Sequence, residues 1–318
     1  MKAFLRQIFI NSELEYPRAG WRIGIFLLIT AGCNTVITGP IMALVKTIPG
    51  VPMQTVGAYV FYLTTTFAVW LMLRFVDRRP FVSVGFAFRK FAGKELSQGL
   101  LFGSGMMSII FVIEYYSGMV HIEFRDVTIM QSAVIFGNSV LLYVIVGYGE
   151  EFLFRGYLFQ TFIEGTNKLI ATVSLALLFA IAHSKNPNAS VFGLINVGLA
   201  GIWLSIAYFK TKALWLPIGL HISWNFFQGF VYSYPVSGTS SEHEQIGKAI
   251  VNGPEWITGG AFGPEGGALA TLMLVLGTLL IYKWKWVSSA DGAWSFEQWR
   301  EERKQLNQIS AIVPEQIQ

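Results

Sequence analysis

The stretch VTIMQSAVIFGNSVLLYVIVGYGEEFLFR, residues 127–155, decides the fold. It begins as the apolar run Val127–Gly149, which is long enough for a membrane-spanning helix of about 20 residues, and it ends on Glu150, Glu151 and Arg155. An ionisable side chain at membrane depth costs roughly 2.5–3.5 kcal/mol on insertion scales, so such residues are functional candidates by default. The stretch therefore predicts a membrane protein with a polar site.

The composition of the whole chain agrees with a membrane protein. Hydrophobic residues make up 53% of the 318 positions, charged residues only 13%, and the mean hydropathy is +0.51. Ordinary soluble domains contain about 25% charged residues. The single cysteine, Cys33, excludes an intramolecular disulfide and a metal site made of cysteines.

Eight apolar runs predict an all-α, polytopic integral membrane protein with about eight transmembrane helices, organised as one domain over residues 1–318. The first run is too long and too late for a cleavable signal peptide, so we expect a retained helix. The runs are Ile23–Val45, Val56–Leu73, Leu96–Ile113, Val127–Gly149, Leu169–His183, Ala189–Phe209, Ala213–Val231 and Gly266–Tyr282.

Three further segments are not expected to span the bilayer. Phe81–Phe91 mixes aromatic residues with Arg89 and Lys90, which is typical of a segment on the inner leaflet. Ser233–Pro264 is rich in Gly, Pro and Ser and predicts an external loop. Residues 288–318 are mostly polar and predict a cytoplasmic tail, either a surface helix or disordered.

The basic residues predict the orientation. With the amino terminus inside, only Lys46, Arg125, Lys185 and Lys248 of the 23 basic residues fall in external segments, which leaves 19 on the cytoplasmic side. This split fits the positive-inside rule and places both termini in the cytoplasm, with the chain in the inner (plasma) membrane. It also explains the net charge of +4 without a nucleic-acid partner.

Three pairs of residues at four-residue spacing predict a site. Residues four apart share a helix face, so Glu151 can pair with Arg155, while Glu150 points about 100° away. The other pairs are Phe179 with His183 and His221 with Asn225. We therefore expect Glu151 to support the structure and Glu150 to take part in the chemistry.

A helical hairpin brings two of these residues to one depth. If the fourth helix continues and turns at residues 165–167, Glu150 and His183 each lie roughly 24–26 Å from that turn at 1.5 Å per residue. His221 reaches the same level only if the hairpin extends further into the cytoplasm or tilts. We expect Glu150, His183, His221 and Asn225 to face one cavity between the fourth, fifth and seventh spans.

Structural interpretations of each pair remain open. The two carboxylates could be a charged helix end, His183 could be an interfacial histidine, and His221 with Asn225 could be an interhelical hydrogen-bonding pair. Together these residues can catalyse hydrolysis: Glu150 can take a proton from water, and His183 can share that water or shuttle the proton. His221 with Asn225 can stabilise an oxyanion. Glu150, His183 and His221 could alternatively bind Zn²⁺, although the H-E-x-x-H motif is absent.

The same motifs resemble a known family. Glu150-Glu151-x-x-x-Arg155, Phe179-x-x-x-His183 and His221-x-x-x-Asn225 are similar, in order and type, to the three motifs of the CAAX protease and bacteriocin-processing (CPBP) family of intramembrane proteases. This family is also called the abortive-infection or type II CAAX prenyl endopeptidase family. The similar core spans roughly Val127–Val231.

The resemblance implies an intramembrane endopeptidase that acts on membrane-embedded or lipid-linked peptides. It implies Glu150 with His183 as the water-activating pair and His221 with Asn225 as the oxyanion-stabilising pair; we favour metal-free chemistry and keep zinc open. Two other classes remain: a non-catalytic membrane scaffold or immunity protein, and a proton-coupled transporter that uses the glutamate and histidines as a relay. A transporter more often has two related halves, which this sequence does not show.

The predicted orientation can be tested with single cysteines introduced at Lys248 and Arg303. We expect an impermeant thiol reagent to label the two positions from opposite sides of the membrane, since one lies in an external loop and the other in the cytoplasmic tail. Labelling of both from the same side would contradict the eight-span topology.

Overall fold

The computed structural model describes residues 7–12, 14–48, 51–86, 91–241, 243–285, 287 and 296–312. Helices dominate the described chain, and each of the eight predicted apolar runs overlaps one of them. The helices longer than ten residues are α1 Ala19–Val45, α2 Met53–Leu71 with a π-helical continuation Met72–Asp77, α3 Ala92–Tyr116, α4 Ile129–Gly165, α5 Lys168–Ala182, α6 Val191–Thr211, α7 Trp215–Phe226 with a π-helical continuation Phe227–Val231, α8 Ala268–Lys283 and α9 Phe296–Ile312.

The protein is an all-α, polytopic membrane protein. Five of the described helices, α1, α2, α3, α4 and α6, are long and apolar enough to cross a bilayer, whereas α5 and α8 are apolar but shorter. The predicted fourth run ended at Gly149, but α4 continues to Gly165 and turns into α5, which Asn167 caps. This hairpin is the one that the depth argument required, while the number of eight crossings stays a prediction.

Two small antiparallel sheets were not predicted. Ile10–Asn11 (β1) pairs with Tyr16–Pro17 (β2), and Val120–Phe124 (β3) pairs with Gly247–Val251 (β4). The second sheet ties the predicted external loop to the end of α3.

Tyr234 anchors the same loop. Its hydroxyl donates a 2.6 Å hydrogen bond to Glu114 of α3. Burial, together with the Glu114 carboxylate, raises the pKa of Tyr234, so the phenol remains a donor. The predicted external loop is therefore an ordered, packed segment rather than an irregular connection.

The described part of the predicted inner-leaflet segment is packed into the bundle. Residues 81–86 form a short 3₁₀ turn in which Val84 and Phe86 are buried. The Phe86 ring contacts Phe152 of α4 and Trp215 of α7, both at 5.5 Å between centroids. Residues 83, 84 and 86 therefore pack against the helices rather than lying free on a surface, and the position of the segment at the inner leaflet stays a prediction; Arg89 and Lys90 lie outside the described residues.

Buried ion pairs join α1, α2 and α4 at the end of the bundle that we predict to be cytoplasmic. Arg22 makes 2.8 and 2.7 Å salt bridges to Asp77 and Glu164, and Arg79 pairs with the same Asp77 at 3.2 Å. Of the two forms expected for the tail, residues 296–312 take the helical one, α9, and its Phe296 ring lies 4.8 Å from the Arg79 guanidinium. The tail thus packs against the helix ends through aromatic side chains.

Glycines bring α3 and α7 into backbone contact. A Cβ at Gly99 would collide with the carbonyl oxygen of Leu216, and a Cβ at Gly103 with that of Leu220. On the facing helix, a Cβ at Gly219 would collide with the carbonyl oxygen of Leu96. Small residues four apart let helices approach closely in membranes, so this seam fixes the position of α7.

The seam predicts the effect of one added methyl group. Gly99→Ala should lower the free energy of unfolding by about 1–3 kcal/mol, the usual cost of overpacking, because the neighbouring atoms are backbone and cannot rotate away. Thermal unfolding in detergent measures this change.

Gly105→Ala on the same helix is the control, since a Cβ there meets no heavy atom within 4 Å. It should be neutral or slightly stabilising, because Ala favours helices more than Gly does. Equal melting temperatures for the two variants would contradict the close seam.

Candidate active site

Helix α7 presents His221 and Asn225 away from the α3 seam. Gly219 and Ser223 face α3, and the Ser223 hydroxyl donates to the carbonyl oxygen of Gly99 at 3.3 Å. Residues two positions further along a helix lie about 200° around its axis. His221 and Asn225, exposed by only 8% and 6%, therefore face the opposite side, where α4 lies.

The Glu151 carboxylate is the centre of the site. Its Oε1 accepts a 2.8 Å hydrogen bond from Arg155 Nη1 and lies 2.9 Å from His221 Nδ1. The predicted ion pair with Arg155 is confirmed, and His221 is a further partner that the sequence did not indicate. Glu151 and Arg155 are both fully or almost fully buried, so each charge depends on the other.

Arg155 lies in a π-helical section of α4, Phe152–Leu158, which begins directly after the two glutamates. Such wide turns inside α-helices occur frequently at functional sites. The second guanidinium nitrogen of Arg155 donates to the carbonyl oxygen of Gly201 on α6 at 3.2 Å. One side chain thereby connects the glutamate-bearing part of α4 to α6.

Glu150, the adjacent residue, has different surroundings. Its Oε1 accepts a 2.7 Å hydrogen bond from the hydroxyl of Tyr62 on α2. Its Oε2 lies 3.8 Å from His221 Nε2 and has no hydrogen-bond partner among the described residues. No cation of the described chain pairs with Glu150 unless His221 is protonated, so this carboxylate is the less neutralised of the two.

The contact with Glu151 determines the tautomer of His221. An ionised carboxylate is only an acceptor, so Nδ1 of His221 must donate to Glu151. In the neutral imidazole, Nε2 is then an acceptor that faces Glu150 Oε2. Two acceptors cannot hydrogen-bond to each other, and 3.8 Å exceeds hydrogen-bond length. A water molecule that donates one hydrogen to each atom would satisfy both acceptors.

Phe179, the first residue of the second motif, contacts side chains of all three motifs. Its ring covers the Arg155 guanidinium at 4.6 Å, contacts the His183 ring at 4.7 Å between centroids and lies edge-on to His221 at 6.3 Å. Its carbonyl oxygen lies 2.8 Å from His183 Nδ1, so neutral His183 carries its proton there and leaves Nε2 as an acceptor.

One cavity of about 670 Å³ contains all four predicted catalytic residues in its wall: Glu150, His183, His221 and Asn225. We predicted walls from three helices, but α2, α6, α8 and the segment 236–244 also contribute.

Glu244 holds that segment over the cavity. Its carboxylate accepts a 2.7 Å hydrogen bond from Thr55 of α2, and its carbonyl oxygen accepts one of the same length from Ser139 of α4. A second carboxylate, Glu265, lines the cavity and accepts two hydrogen bonds from Ser237. The sequence did not predict Tyr62, Glu244 and Glu265 as site residues. Their hydrogen bonds in the site join residues at least 28 positions apart, so no local sequence pattern indicates them.

The residues fit a zinc ion poorly. Within the described ranges, no three His, Cys, Asp or Glu side chains come together in a way that could hold a metal ion. The Nδ1 contacts of His221 and His183 leave Nε2 of each ring, as they do in many metal-binding histidines, so what the described residues lack for zinc is a third ligand side chain close to the other two. We therefore assign no step to zinc.

The fold and the site together define a polytopic membrane protein with a buried carboxylate–histidine site. Residues 131–227 match the family model described as Rce1-like, type II CAAX prenyl endopeptidase Rce1-like, so this part of the chain is similar to that protease family. The resemblance predicted from the three motifs is thereby confirmed. All six predicted site residues fall within the matched range, whereas Tyr62 lies outside it.

Two proteins of Bacillus subtilis (strain 168) are similar to parts of the chain. The protein named "Uncharacterized protein YyaK" is 26% identical over 174 residues, which are 54% of this chain and 58% of that protein. The protein named "Putative membrane peptidase YdiL" is 27% identical over 104 residues, 33% of this chain and 41% of that protein. The chain thus spans about half the length of these relatives, and no solved structure matches it.

The buried pair predicts a stability defect. Arg155→Ala should lower the free energy of unfolding by roughly 3–5 kcal/mol, because it leaves Glu151 buried without its cation. Thermal unfolding in detergent measures the loss, with Arg74→Ala as the control, since Arg74 is exposed on α2. If Arg155→Ala were as thermostable as the Arg74 variant, the pair would not support the fold.

Proposed function

We propose that this protein is an intramembrane endopeptidase that hydrolyses peptide bonds of membrane-associated substrates with a water molecule activated by Glu150. The observation that carries the proposal is that Glu150 Oε2, which has no hydrogen-bond partner among the described residues, lies 3.8 Å from His221 Nε2 beside the cavity. The match to a protease family model supports the same reaction class.

The chemistry begins with water held between Glu150 and His221. As its oxygen attacks the carbonyl carbon of the peptide, one proton passes to Glu150, the general base. The carbonyl oxygen becomes an oxyanion, to which the Asn225 amide can donate. His221 can donate a second hydrogen bond to the oxyanion, from Nε2, only when the ring is protonated. The sequence-based prediction that His221 stabilises the oxyanion therefore requires the protonated ring.

The tetrahedral intermediate breaks down when the carbon–nitrogen bond is cleaved. The proton taken from water is delivered to the leaving amine, by Glu150 directly or through Nε2 of His183, which lines the same cavity. The products are a carboxylic acid and an amine, so one water molecule is consumed and Glu150 returns to its ionised form. Glu151 and Arg155 support the site by holding His221 in place.

The cavity favours an apolar segment of peptide. Its walls include Phe61, Phe154, Trp203 and Trp224 beside the polar site, and Glu150 lies on α4, which is long and apolar enough to cross a membrane. We therefore propose membrane-embedded or lipid-linked peptides as substrates, membrane lipid as the surrounding partner, and the plasma membrane with both termini cytoplasmic as the location. Because the matching family model is described as a prenyl endopeptidase, a prenylated peptide is the first substrate to test.

The decisive variant is Glu150→Gln. Glutamine keeps the shape of the side chain but cannot take a proton from water, so we expect cleavage to fall by about 10²–10⁴-fold, the usual contribution of a general base, with the melting temperature retained. Quantitative proteomics of membranes with the wild type or the variant should show intact substrates accumulating only with the variant. A fluorescence-quenched peptide with an S-farnesyl cysteine provides the rate in liposomes.

The matched control is Glu123→Gln, the same change at an exposed position on β3; it should behave as the wild type. Full activity of Glu150→Gln would contradict the assignment of the base. Loss of activity in chelators and recovery with zinc would favour the metal alternative, whereas we expect chelators to have little effect. No difference between the two membrane proteomes would favour a non-catalytic scaffold.

A further inference from the structure

Tyr62 on α2 contacts the proposed base from outside the range that matches the family model. Its hydroxyl donates a 2.7 Å hydrogen bond to Oε1 of Glu150, and its ring lines the same cavity. From this contact and its packing we infer that Tyr62 is a positioning residue of the hydrolysis, which holds one oxygen of Glu150 so that the other faces His221. The inference rests on the proposed function and adds a residue to it.

The packing around Tyr62 leaves room for its ring beside Glu150. A Cβ on Gly149 would collide with the Tyr62 ring, so the absence of a side chain at Gly149 gives the ring its place against α4. The ring also meets Phe61 edge-on, with 5.3 Å between centroids. Gly149 directly precedes Glu150 in the chain. The space for the Tyr62 ring thus lies on α4 next to Glu150, the residue whose carboxylate accepts the hydrogen bond from Tyr62.

The hydrogen bond makes the two oxygens of Glu150 unequal. Oε1 is occupied by a donor that favours the ionised carboxylate, while Oε2 keeps its lone pairs for water beside His221 Nε2. Without the tyrosine hydroxyl, the carboxylate can rotate about its last bond, and the base is correctly aimed only part of the time. Since Tyr62 does not touch the reacting atoms in this scheme, its loss should lower kcat and leave KM nearly unchanged.

The neighbouring Tyr148 provides a matched control. It lies on α4, two residues before Glu150, and its hydroxyl lies 3.3 Å from the Thr66 hydroxyl on α2. Tyr148→Phe and Tyr62→Phe therefore remove the same atom from the same helix pair, and only Tyr62 contacts a glutamate. A purely structural role of these hydroxyls would affect both variants alike.

The test compares Tyr62→Phe, Tyr148→Phe and Glu150→Gln in liposomes with the farnesylated quenched peptide, and the accumulation of intact proteins in membranes. We expect Tyr62→Phe to lower kcat by about 10- to 100-fold, the range that a hydrogen bond to a charged group corresponds to, with KM within about twofold of the wild type. Tyr148→Phe should match the wild type. In the Glu150→Gln background, Tyr62→Phe should cause no further loss, because residues that act as one unit are non-additive.

The outcomes separate the two proposals. If the wild type is active, Glu150→Gln is inactive and Tyr62→Phe retains its kcat, the role of Tyr62 is wrong and the proposed function stands. A rise in KM with unchanged kcat would make Tyr62 a substrate-binding residue and would also overturn its positioning role. If neither the peptide nor any membrane protein is cut by the wild type, the proposed function fails, and the role of Tyr62 fails with it.

Discussion

The buried Glu151 carboxylate is the constraint on which the rest of the site depends. A charge in an apolar interior is stable only when it is paired and hydrogen-bonded, and Glu151 has two partners: Arg155 at 2.8 Å and His221 at 2.9 Å. Because Arg155 also donates to α6 and His221 belongs to α7, one negative charge holds three helices together. The same contact chooses the tautomer of His221, so a requirement of folding decides which nitrogen faces the cavity.

Two adjacent residues of the same type receive different roles from this arrangement. Successive positions on a helix point about 100° apart, so Glu150 and Glu151 cannot share the same neighbours. Glu151 takes the arginine and the donor nitrogen of the histidine, whereas Glu150 is left with a phenol hydroxyl and an acceptor nitrogen. The difference between a structural and a reactive carboxylate thus originates in what packs against each face of α4.

Much of this could be predicted from periodicity, and the limits of periodicity explain the rest. Apolar runs located the helices, and four-residue spacing identified Glu151 with Arg155 because that contact lies within one helix. The 2.9 Å contact between Glu151 and His221 joins residues 70 positions apart. It depends on the rotation of α7 about its axis, which no local pattern determines. Tyr62 was missed for the same reason, and the β3–β4 pairing and the buried Phe86 depend on tertiary packing that outweighs local polarity.

The seam between α3 and α7 determines how the site responds to force. Side chains can change rotamers to absorb a displacement, but Gly99, Gly103 and Gly219 place backbone against backbone, where no such adjustment exists. The two helices should therefore move as one stiff body that carries His221 and Asn225 with it. Another part of the cavity wall, formed by α2 and described residues of the segment 236–244, is held by hydrogen bonds that involve side chains, among them Thr55 to Glu244 and Ser237 to Glu265. Side chains on that wall can rotate to absorb a displacement, whereas the backbone contacts of the seam cannot, so the seam preserves the alignment of His221.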